Sequence, residues 1–290
     1  MNTRKLMALL LTLALLLTLG GCARQQGPGT QPENPNAEPE ESYPVKLECR
    51  GGSTTLRFAL DEESGSWQWG DDKSFPLEQN LPLFLVETLT SLSERMPLAQ
   101  IGQLADYGLD EPSRYIDLTD NQGHTWTYCL GDEGEDGVYL YREDMPAMIY
   151  AVPNLRSQID RSIYSMMQLP QLPQLTAENL RRVELRRGEE TATLELTEEL
   201  LRFLSNWELS ACVDWKPSAG VPALCGLDEP QLVLTVLYEP AGTERSFSLT
   251  VGAQRSEGYC VTISEDDTIY LMSTQALTPL LELAATRLGA

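Results

Sequence analysis

The chain contains a duplicated segment, and this repeat constrains the fold more than any other feature of the 290 residues. The motif Gly-Leu-Asp-Glu-Pro occupies 108–112 and recurs letter for letter at 226–230. The offset is 118 residues there (226 against 108) and 121 at the Leu-Gly and Val-Gly pairs (252 against 131). Such regular self-similarity indicates that one structural unit has been duplicated.

Both copies show the pattern of an antiparallel β-meander. After the motif come alternating apolar residues, a turn rich in Gly, Asn and Pro, and three further short apolar runs, which is typical of strands joined by tight turns. We align Tyr139 with Tyr259 and Ile149-Tyr150 with Ile269-Tyr270 on the third and fourth strands. The predicted strands are 115–118, 125–130 and those containing Tyr139 and Tyr150 in the first copy, and 232–236, 246–251 and those containing Tyr259 and Tyr270 in the second.

Helices are predicted on both sides of each meander. Asn154 and Thr274 are good N-cap residues for the helix that follows each meander. Apolar residues at helical spacing give the stripes Leu155, Ile159, Ile163, Met166; Leu277, Leu280, Leu281, Leu288; Leu81, Leu85, Leu89, Leu92, Met96; and Leu200, Leu204, Trp207.

A strand pair precedes the first helix of each copy, at 45–48 and 55–60 and at 183–185 and 191–196. A third strand with Trp67 and Trp69 has no clear counterpart in the second copy, which is therefore expected to be shorter. The sequence predicts an α+β fold of two tandem antiparallel β-meander modules, each with helices packed on one face of its sheet. The expected modules are 45–175 and 176–290.

The N-terminus resembles a bacterial lipoprotein signal. Arg4 and Lys5 precede an apolar stretch from Leu6 to Leu19, which suits the core of a cleaved signal peptide better than a permanent membrane span. The following Leu-Gly-Gly-Cys resembles the lipobox, in which the thiol is acylated and the chain is cut just before it. We therefore expect residues 1–21 to be a signal peptide, Cys22 to be lipidated, and the protein to lie on the extracytoplasmic face of the cell membrane.

Composition limits the partners of the mature chain. Residues 22–44 are rich in Pro, Gly, Gln, Asn and Glu and contain little that could be buried, so we expect a disordered tether. Loss of Arg4 and Lys5 with the signal peptide would take the net charge from −22 to −24, which would repel phosphate backbones and excludes nucleic acid as an expected partner. The expected partners are the membrane, through the lipid on Cys22, and another envelope protein.

The pattern from Tyr107 to Pro112, followed by Leu130-Gly131-Asp132, Tyr139 and Ile149-Tyr150, resembles the bacterial family called domain of unknown function 4340. The likeness covers most of 45–290, and the second copy departs from it where Cys225 replaces Tyr107 and Val251-Gly252-Ala253 replaces Leu-Gly-Asp. The resemblance implies an envelope protein and an association with ABC-type exporters. It implies no activity.

The repeat motif is better explained by turn chemistry than by catalysis. Glycine tolerates positive φ, aspartate accepts backbone hydrogen bonds in turns, and proline fixes φ before a strand. Adjacent carboxylates also point in different directions and make a poor acid–base pair. The expected structural positions are Gly108, Asp110, Pro112, Gly226, Asp228 and Pro230. The acidic run 132–137 suggests calcium, but it lacks the ligand spacing of an EF-hand loop and is expected to be a hairpin tip.

No catalytic or metal site is expected. His124 is the only histidine, so any triad or histidine-ligated zinc would depend on one residue at a predicted turn. A hydrolase that uses two carboxylates distant in sequence stays open. Five cysteines remain beside Cys22; Cys212 and Cys225 are near enough in sequence to pair, while buried free thiols are the alternative. No cofactor is predicted.

Beside the carboxylate-based hydrolase, two non-catalytic functions compete on the sequence alone. The first is a non-catalytic interaction or scaffold module, tethered to the membrane and accessory to an ABC-type transporter. The second is a binding protein for a small ligand or cell-wall fragment, held in a cleft between the two repeats and contacted by exposed aromatic side chains. A packed junction between the repeats would favour the first, and an open aromatic cleft the second.

Overall fold

The fold is taken from a computed structural model that describes residues 41–52, 55–98 and 102–288. Ser42–Ala290 forms one compact unit. The expected signal peptide, Cys22 and nearly all of the expected tether lie outside the described residues, although Pro44, which we assigned to the tether, begins the first strand. No helix in the described ranges combines the length and apolar character needed to cross a membrane.

The first module is a seven-stranded sheet in which every neighbouring pair is antiparallel. Its order is β3-β2-β1-β4-β5-β6-β7. The strands are β1 Pro44–Arg50, β2 Leu56–Asp61, β3 Ser66–Trp69, β4 Arg114–Asp120, β5 Thr125–Gly134, β6 Gly137–Arg142 and β7 Tyr150–Val152. The helices are α1 Asn80–Thr90 and α2 Leu155–Ile159, with 3₁₀ turns at Ser91–Glu94, Leu104–Tyr107 and Ile163–Met166.

The second module repeats this arrangement with the order β10-β14-β13-β12-β11-β8-β9. Its strands are β8 Leu180–Arg187, β9 Glu190–Thr193, β10 Ala211–Asp214, β11 Leu232–Tyr238, β12 Arg245–Arg255, β13 Gly258–Ile263 and β14 Ile269–Ser273. Its helices are α3 Glu198–Ser205, α4 Val221–Leu224 and α5 Thr274–Leu288, with a 3₁₀ turn at Pro240–Gly242. The structure confirms the predicted α+β class and the two tandem antiparallel modules.

The modules differ at one edge of each sheet. In the first, β3 extends the sheet beyond β2, and its register pairs Leu60 with Trp67. The second has no such strand, as predicted, but β10 pairs with β14 at the opposite edge, so its sheet also has seven strands. Sequence analysis missed β10 because four half-buried residues give too little alternation to mark a strand.

One continuous core joins the sheets to the helices. Ile116 and Leu118 on β4, and Leu234 and Val236 on β11, are almost fully buried at equivalent places in the two sheets. Leu85, on the helix that covers the first sheet, is fully buried in the same core. Because burial of such a side chain contributes about 1.5–3 kcal/mol, these alternating residues account for the register of both meanders.

Three details of the predicted helices are wrong. The stripe 155–166 is divided between α2 and a separate 3₁₀ turn, because residues 160–162 leave the helical path. Met96 is 89% exposed and lies beyond the 3₁₀ turn that follows α1. Asn154 has φ of 61° and its side chain makes no capping bond, whereas Ser273 accepts a hydrogen bond from the amide of Ala276 at the start of α5.

The register also corrects one alignment between the copies. In the hairpin of β5 and β6, Gly134 faces Gly137, and in that of β12 and β13, Arg255 faces Gly258. Counting along β6 and β13 from these glycines places Tyr139 opposite Cys260 in the alignment, not opposite Tyr259. The tyrosine match in the sequence is therefore shifted by one residue, which would turn a side chain to the other face of a strand.

Aromatic side chains pack where the two modules meet. Phe75 is 3% exposed, and its ring lies 5.6 Å from that of Trp215 and 5.3 Å from that of Trp69, both edge to face. The Phe75 ring also stacks on the ring of Tyr164, with centroids 6.4 Å apart. The Tyr164 hydroxyl donates a hydrogen bond to Asp214. Edge-to-face pairs add about 0.5–1.5 kcal/mol to the burial of the rings. This junction, defined by these five residues, is packed.

An ion pair lies beside the aromatic junction. Asp72 accepts hydrogen bonds from the Lys216 ammonium at 2.7 Å and from the Trp215 indole at 2.9 Å. Lys216 also donates to Ser74 at 2.7 Å and has φ of 51°, an uncommon conformation that these contacts stabilise. Hydrogen bonds from Lys216, Ser74 and Trp215 hold the pKa of Asp72 well below its ordinary value.

Replacing Asp72 with asparagine is expected to reduce the acid sensitivity of the fold. The lowered pKa means that Asp72 stabilises the fold above its unfolded pKa of about 3.9 and that this contribution is lost as pH falls further. Urea unfolding of Asp72→Asn should show a loss of about 1 kcal/mol at pH 7 and a shallower decline between about pH 4 and 2.

The neighbouring carboxylate supplies the matched control for this measurement. Asp71 is more exposed and reaches Arg57 only at 3.5 Å. Asp71→Asn should therefore change stability by less than about 0.5 kcal/mol at either pH, since exposed ion pairs contribute little. If the free energy of unfolding changed with pH in the same way in both variants, Asp72 would not be the group responsible for the acid sensitivity.

Candidate functional site

The repeat motif forms a backbone corner in both modules. Gly108 and Gly226 each have φ of 65°, a conformation that glycine adopts without strain. Gly131 lies against this corner so closely that a Cβ there would come within 2.1 Å of the Tyr107 carbonyl oxygen, and Gly252 is equally close to that of Cys225. The repeat motif and the later Leu-Gly or Val-Gly pair are therefore in contact in each module. They join the corner to the second strand of the meander, β5 or β12.

The carboxylates of the motif take no part in this joint. Asp110 and Asp228 are exposed, and within the described ranges neither side chain has a hydrogen-bond partner. The expected backbone hydrogen bonds to these aspartates are therefore not formed. Pro112 contributes through its carbonyl, which accepts from the Tyr115 hydroxyl at 2.5 Å, and Pro230 is half-buried before β11.

The acidic run 132–137 is a hairpin tip. β5 ends at Gly134 and β6 begins at Gly137, so Glu135 and Asp136 lie at the turn and are exposed. Glu133 is near Arg156, at 3.6 Å. In the part of the chain that the structure describes, no three His, Cys, Asp or Glu side chains are grouped to hold a metal ion.

His124 lies next to an aspartate that also binds a serine, but the arrangement is unlike a catalytic triad. Asp120 is buried and accepts from the Ser42 hydroxyl at 2.7 Å and lies 3.3 Å from His124 Nδ1. Burial by itself would raise the pKa of Asp120, but these hydrogen bonds and those from the His124 and Gln122 amides hold it below its ordinary value. Ser42 thus donates to the aspartate and not to the imidazole, so the group anchors a turn.

The five cysteines among the described residues are free thiols. Cys49, Cys129, Cys225 and Cys260 are buried, and Cys212 is half-buried. Burial, with nearby carboxylates adding to it, raises the pKa of Cys49 to about 12, so this thiol behaves as a small apolar side chain. Cys212 and Cys225 do not form the disulfide that their spacing allowed.

The most distinctive cavity is a groove at one end of the first sheet, which we call the β5 groove. It has a volume of about 240 Å³. One wall is formed by Leu89 and Leu92 from the end of α1 and the turn after it, and the other by Trp126, Tyr128 and Tyr150 from the sheet. The Tyr128 hydroxyl donates to the Leu89 carbonyl at 3.3 Å, which ties the two walls together.

Arg142 is the one charged side chain that lines the β5 groove among the described residues. Arg142 lines the groove and forms a bidentate pair with Asp144, at 2.5 and 3.0 Å. This pairing lowers the pKa of Asp144 and raises that of Arg142. Burial raises the pKa of the Tyr128 hydroxyl, with Arg142 acting in the opposite direction. The groove therefore combines an apolar lining with a fixed, already neutralised cation.

The rim of the groove is an exposed loop, residues 143–148, that carries both acids and apolar side chains. Met145 and Met148 are 44% and 43% exposed, and Met145 lines the groove. Arg142 contacts the Met145 sulfur at 3.3 Å. Flexible, polarisable methionine side chains at a surface groove are typical of surfaces that adapt to a partner.

Four other surface cavities differ from the β5 groove in their lining. Three lie in the second module or its linker, with volumes of about 280, 320 and 520 Å³, and one of about 380 Å³ lies on the first sheet. The last is lined by Glu48 and Asp117, but each is paired with an arginine, Arg57 and Arg50 respectively. None of these four combines three aromatic rings with an exposed apolar rim.

The fold and the groove define the class of this protein: a two-module α+β protein with a packed junction and an apolar surface groove. Residues 67–203 match the model of the family described as Domain of unknown function (DUF4340), so this part of the chain is similar to that family. The match begins in β3 and ends in α3, and it does not include the second copy of the repeat motif. No curated protein and no solved structure matches the chain.

Sequence reasoning located the motif but missed the groove. The aromatic side chains expected to contact a ligand include Trp126, but they were expected in a cleft between the repeats and not in this groove. Met145 and Met148 lie beside a proline and two acids, which is an available signal of an exposed apolar loop. What brings them to Leu89 and Leu92 is the packing of α1 on the sheet, which no local pattern encodes.

Proposed function

We propose that this protein is a membrane-anchored, extracytoplasmic interaction module that acts without catalysis and binds another envelope protein, with an ABC-type transporter as the candidate partner. The anchor rests on the lipobox-like sequence at Cys22. The transporter rests on the family resemblance alone. The observation that carries the interaction role is the β5 groove with its exposed apolar rim, since such rimmed patches mark protein-binding surfaces.

The packed junction favours this function over a ligand cleft between the repeats. Phe75 is buried between Trp69, Trp215 and Tyr164, and the charged pair of Asp72 and Lys216 closes one side. A ligand at this place would have to displace these rings. The side-chain contacts therefore support a rigid scaffold that presents surfaces on two fixed modules.

The size and charge of the β5 groove indicate what occupies it. A volume of about 240 Å³ is below the roughly 300–1,000 Å³ typical of small-molecule sites and suits one large apolar side chain. Glu143 and Asp144 on the rim, and the net charge of −22, favour a basic segment around that side chain. We infer a partner segment in which one apolar residue is flanked by lysine or arginine.

The pattern of pKa shifts gives no support to carboxylate-based hydrolysis. A general acid of this kind needs a raised pKa. Asp72, Asp120 and Asp144 have clearly displaced pKa values, and all three are lowered by hydrogen bonds or ion pairs.

Replacing Met145 with lysine is expected to weaken partner binding about tenfold, or about 1.4 kcal/mol. The change removes apolar rim surface and places a positive charge against the basic segment. The measurement is crosslinking in solubilised membranes, followed by quantitative mass spectrometry of the captured protein and of the crosslinked residues. The proposal requires a crosslink between the rim loop and a basic segment, lost in Met145→Lys.

Leu224→Lys is the matched control, because Leu224 is also an exposed apolar residue, 76% accessible, but lies on the second module. It should leave capture unchanged. Recovery of the protein alone, or equal loss in both variants, would contradict the groove as the binding surface.

A further inference from the structure

Two buried cysteines of the second module lie together beside an arginine. Cys225 and Cys260 are both fully buried and pack in one small cluster with Ile269. The Cys225 thiol is close enough to Cys260 to raise the pKa of that thiol. The Arg255 guanidinium donates to the Cys225 sulfur at 3.4 Å and also contacts Cys260. Two thiols and a cation thus lie together in one cluster, which is separate from the β5 groove.

Comparison with the first module shows that the residues of this cluster replace a different set of side chains at the corresponding positions. By the sheet register, Tyr139 corresponds to Cys260 and Gly134 to Arg255, and Tyr107 corresponds to Cys225 before the repeat motif. In the first module the rings of Tyr107 and Tyr139 are in contact, with centroids 4.9 Å apart. The two positions therefore touch in both copies, once as a pair of tyrosines and once as a pair of thiols.

The replacement of Tyr139 by Cys260 also explains why an arginine, Arg255, can stand where the first module has Gly134. A Cβ at Gly134 would lie 2.2 Å from the Tyr139 hydroxyl, so the tyrosine excludes any side chain there. Cysteine at the equivalent position leaves that space free, and Arg255 extends into it to reach both sulfurs. Three positions have changed together, which a chance occurrence of buried cysteines does not explain.

We propose that Cys225 and Cys260 form a redox-active dithiol, assisted by Arg255, that exchanges with external disulfides. The thiolate of one cysteine attacks a sulfur of the external disulfide and releases one thiol. The second cysteine then attacks the mixed disulfide, forms the Cys225–Cys260 bond and releases the other thiol. The protein loses two electrons and two protons, and the external disulfide is reduced to two thiols.

Access to the site comes through α4. Cys225 is the C-terminal cap of this one-turn helix, whose last residue, Leu224, is 76% exposed. A single turn with so little buried surface opens at low cost in free energy. Opening of α4 would expose Cys225, the attacking thiol, beside the Arg255 guanidinium. Burial raises the pKa of Cys260, the resolving thiol, and Arg255 partly offsets that rise.

The test is oxidation of the purified full-length protein by oxidised glutathione. After the reaction, remaining thiols are alkylated under denaturing conditions and the peptides are identified by mass spectrometry. The expected result is a peptide pair joined through Cys225 and Cys260, while Cys49 and Cys129 are alkylated. Alkylation of both Cys225 and Cys260 at every glutathione ratio, or a bond between Cys225 and Cys212, would overturn the proposal.

Two variants test the roles within the cluster. Cys260→Ser should leave glutathione attached to Cys225, because the resolving thiol is missing. Arg255→Gln should slow formation of the internal bond about threefold to tenfold, because the cation that favours the thiolate is removed. An unchanged rate would show that the guanidinium does not assist. These outcomes are independent of the membrane anchor and of the β5 groove.

Discussion

Cys22→Ser is expected to move the protein from the membrane fraction to the soluble fraction almost completely. Two acyl chains anchor a protein stably at a membrane. Without them, the protein would contact the membrane only through its acidic surface. With a net charge of −22, that surface is repelled by anionic head groups. The measurement is fractionation of cells that express the wild type and the variant, followed by immunoblotting.

Processing provides a second readout of the same substitution. The wild type should be cut before Cys22 and should carry the mass of the acyl groups, while Cys22→Ser should be cut at a different bond and should lack that mass. Cys212→Ser is the control, because it removes a half-buried thiol far from the signal and should leave the fractionation unchanged. Membrane attachment retained by Cys22→Ser would refute the lipid anchor.

Leu109→Ala is expected to lower the free energy of unfolding by about 3 kcal/mol. Leu109 is fully buried in the repeat-motif corner, and its side chain packs against Gly131 so closely that a Cβ there would lie 2.8 Å from it. Truncation leaves a cavity between the corner and β5 that the rigid backbone cannot close. Urea unfolding followed by circular dichroism measures the loss.

A substitution at Asp110, next to Leu109, tests whether the motif acts through its backbone or through its carboxylate. Asp110→Asn should change the free energy of unfolding by less than about 0.5 kcal/mol, because the carboxylate is exposed and unpaired within the described residues. The same substitution at Asp228 should behave alike. If Asp110→Asn were as destabilising as Leu109→Ala, the corner would depend on the carboxylate and the backbone explanation would be wrong.

The internal repeat made most of the fold predictable. Alternation in β4 and β11 identified strands whose buried residues, such as Ile116 and Leu234, lie where the pattern predicted. Helical spacing identified Leu85 and Leu204 as core residues of α1 and α3. Two copies of one weak pattern gave independent support for each element, which a single copy would have lacked.

The prediction failed where local signals were short or competed with packing. β10 is only four residues long, and the stripe 155–166 continues across residues that do not stay helical. The tyrosine alignment failed because letter identity favoured Tyr259, whereas the hairpin register set by Gly258 selects Cys260. Each error involves a short segment, from one residue to one four-residue strand, the scale at which tertiary contacts outweigh local preference.

The sequence by itself determined the two-module α+β fold, the corner at Gly108 and Gly226, and the lipobox-like signal, because periodicity and turn chemistry act over neighbouring residues. Only the tertiary structure decided that Phe75 meets Trp215, that Met145 borders a groove with Leu89, and that Cys225 lies beside Cys260. Those contacts join residues far apart in the chain. They form only when burial of the helices and sheets fixes which faces meet.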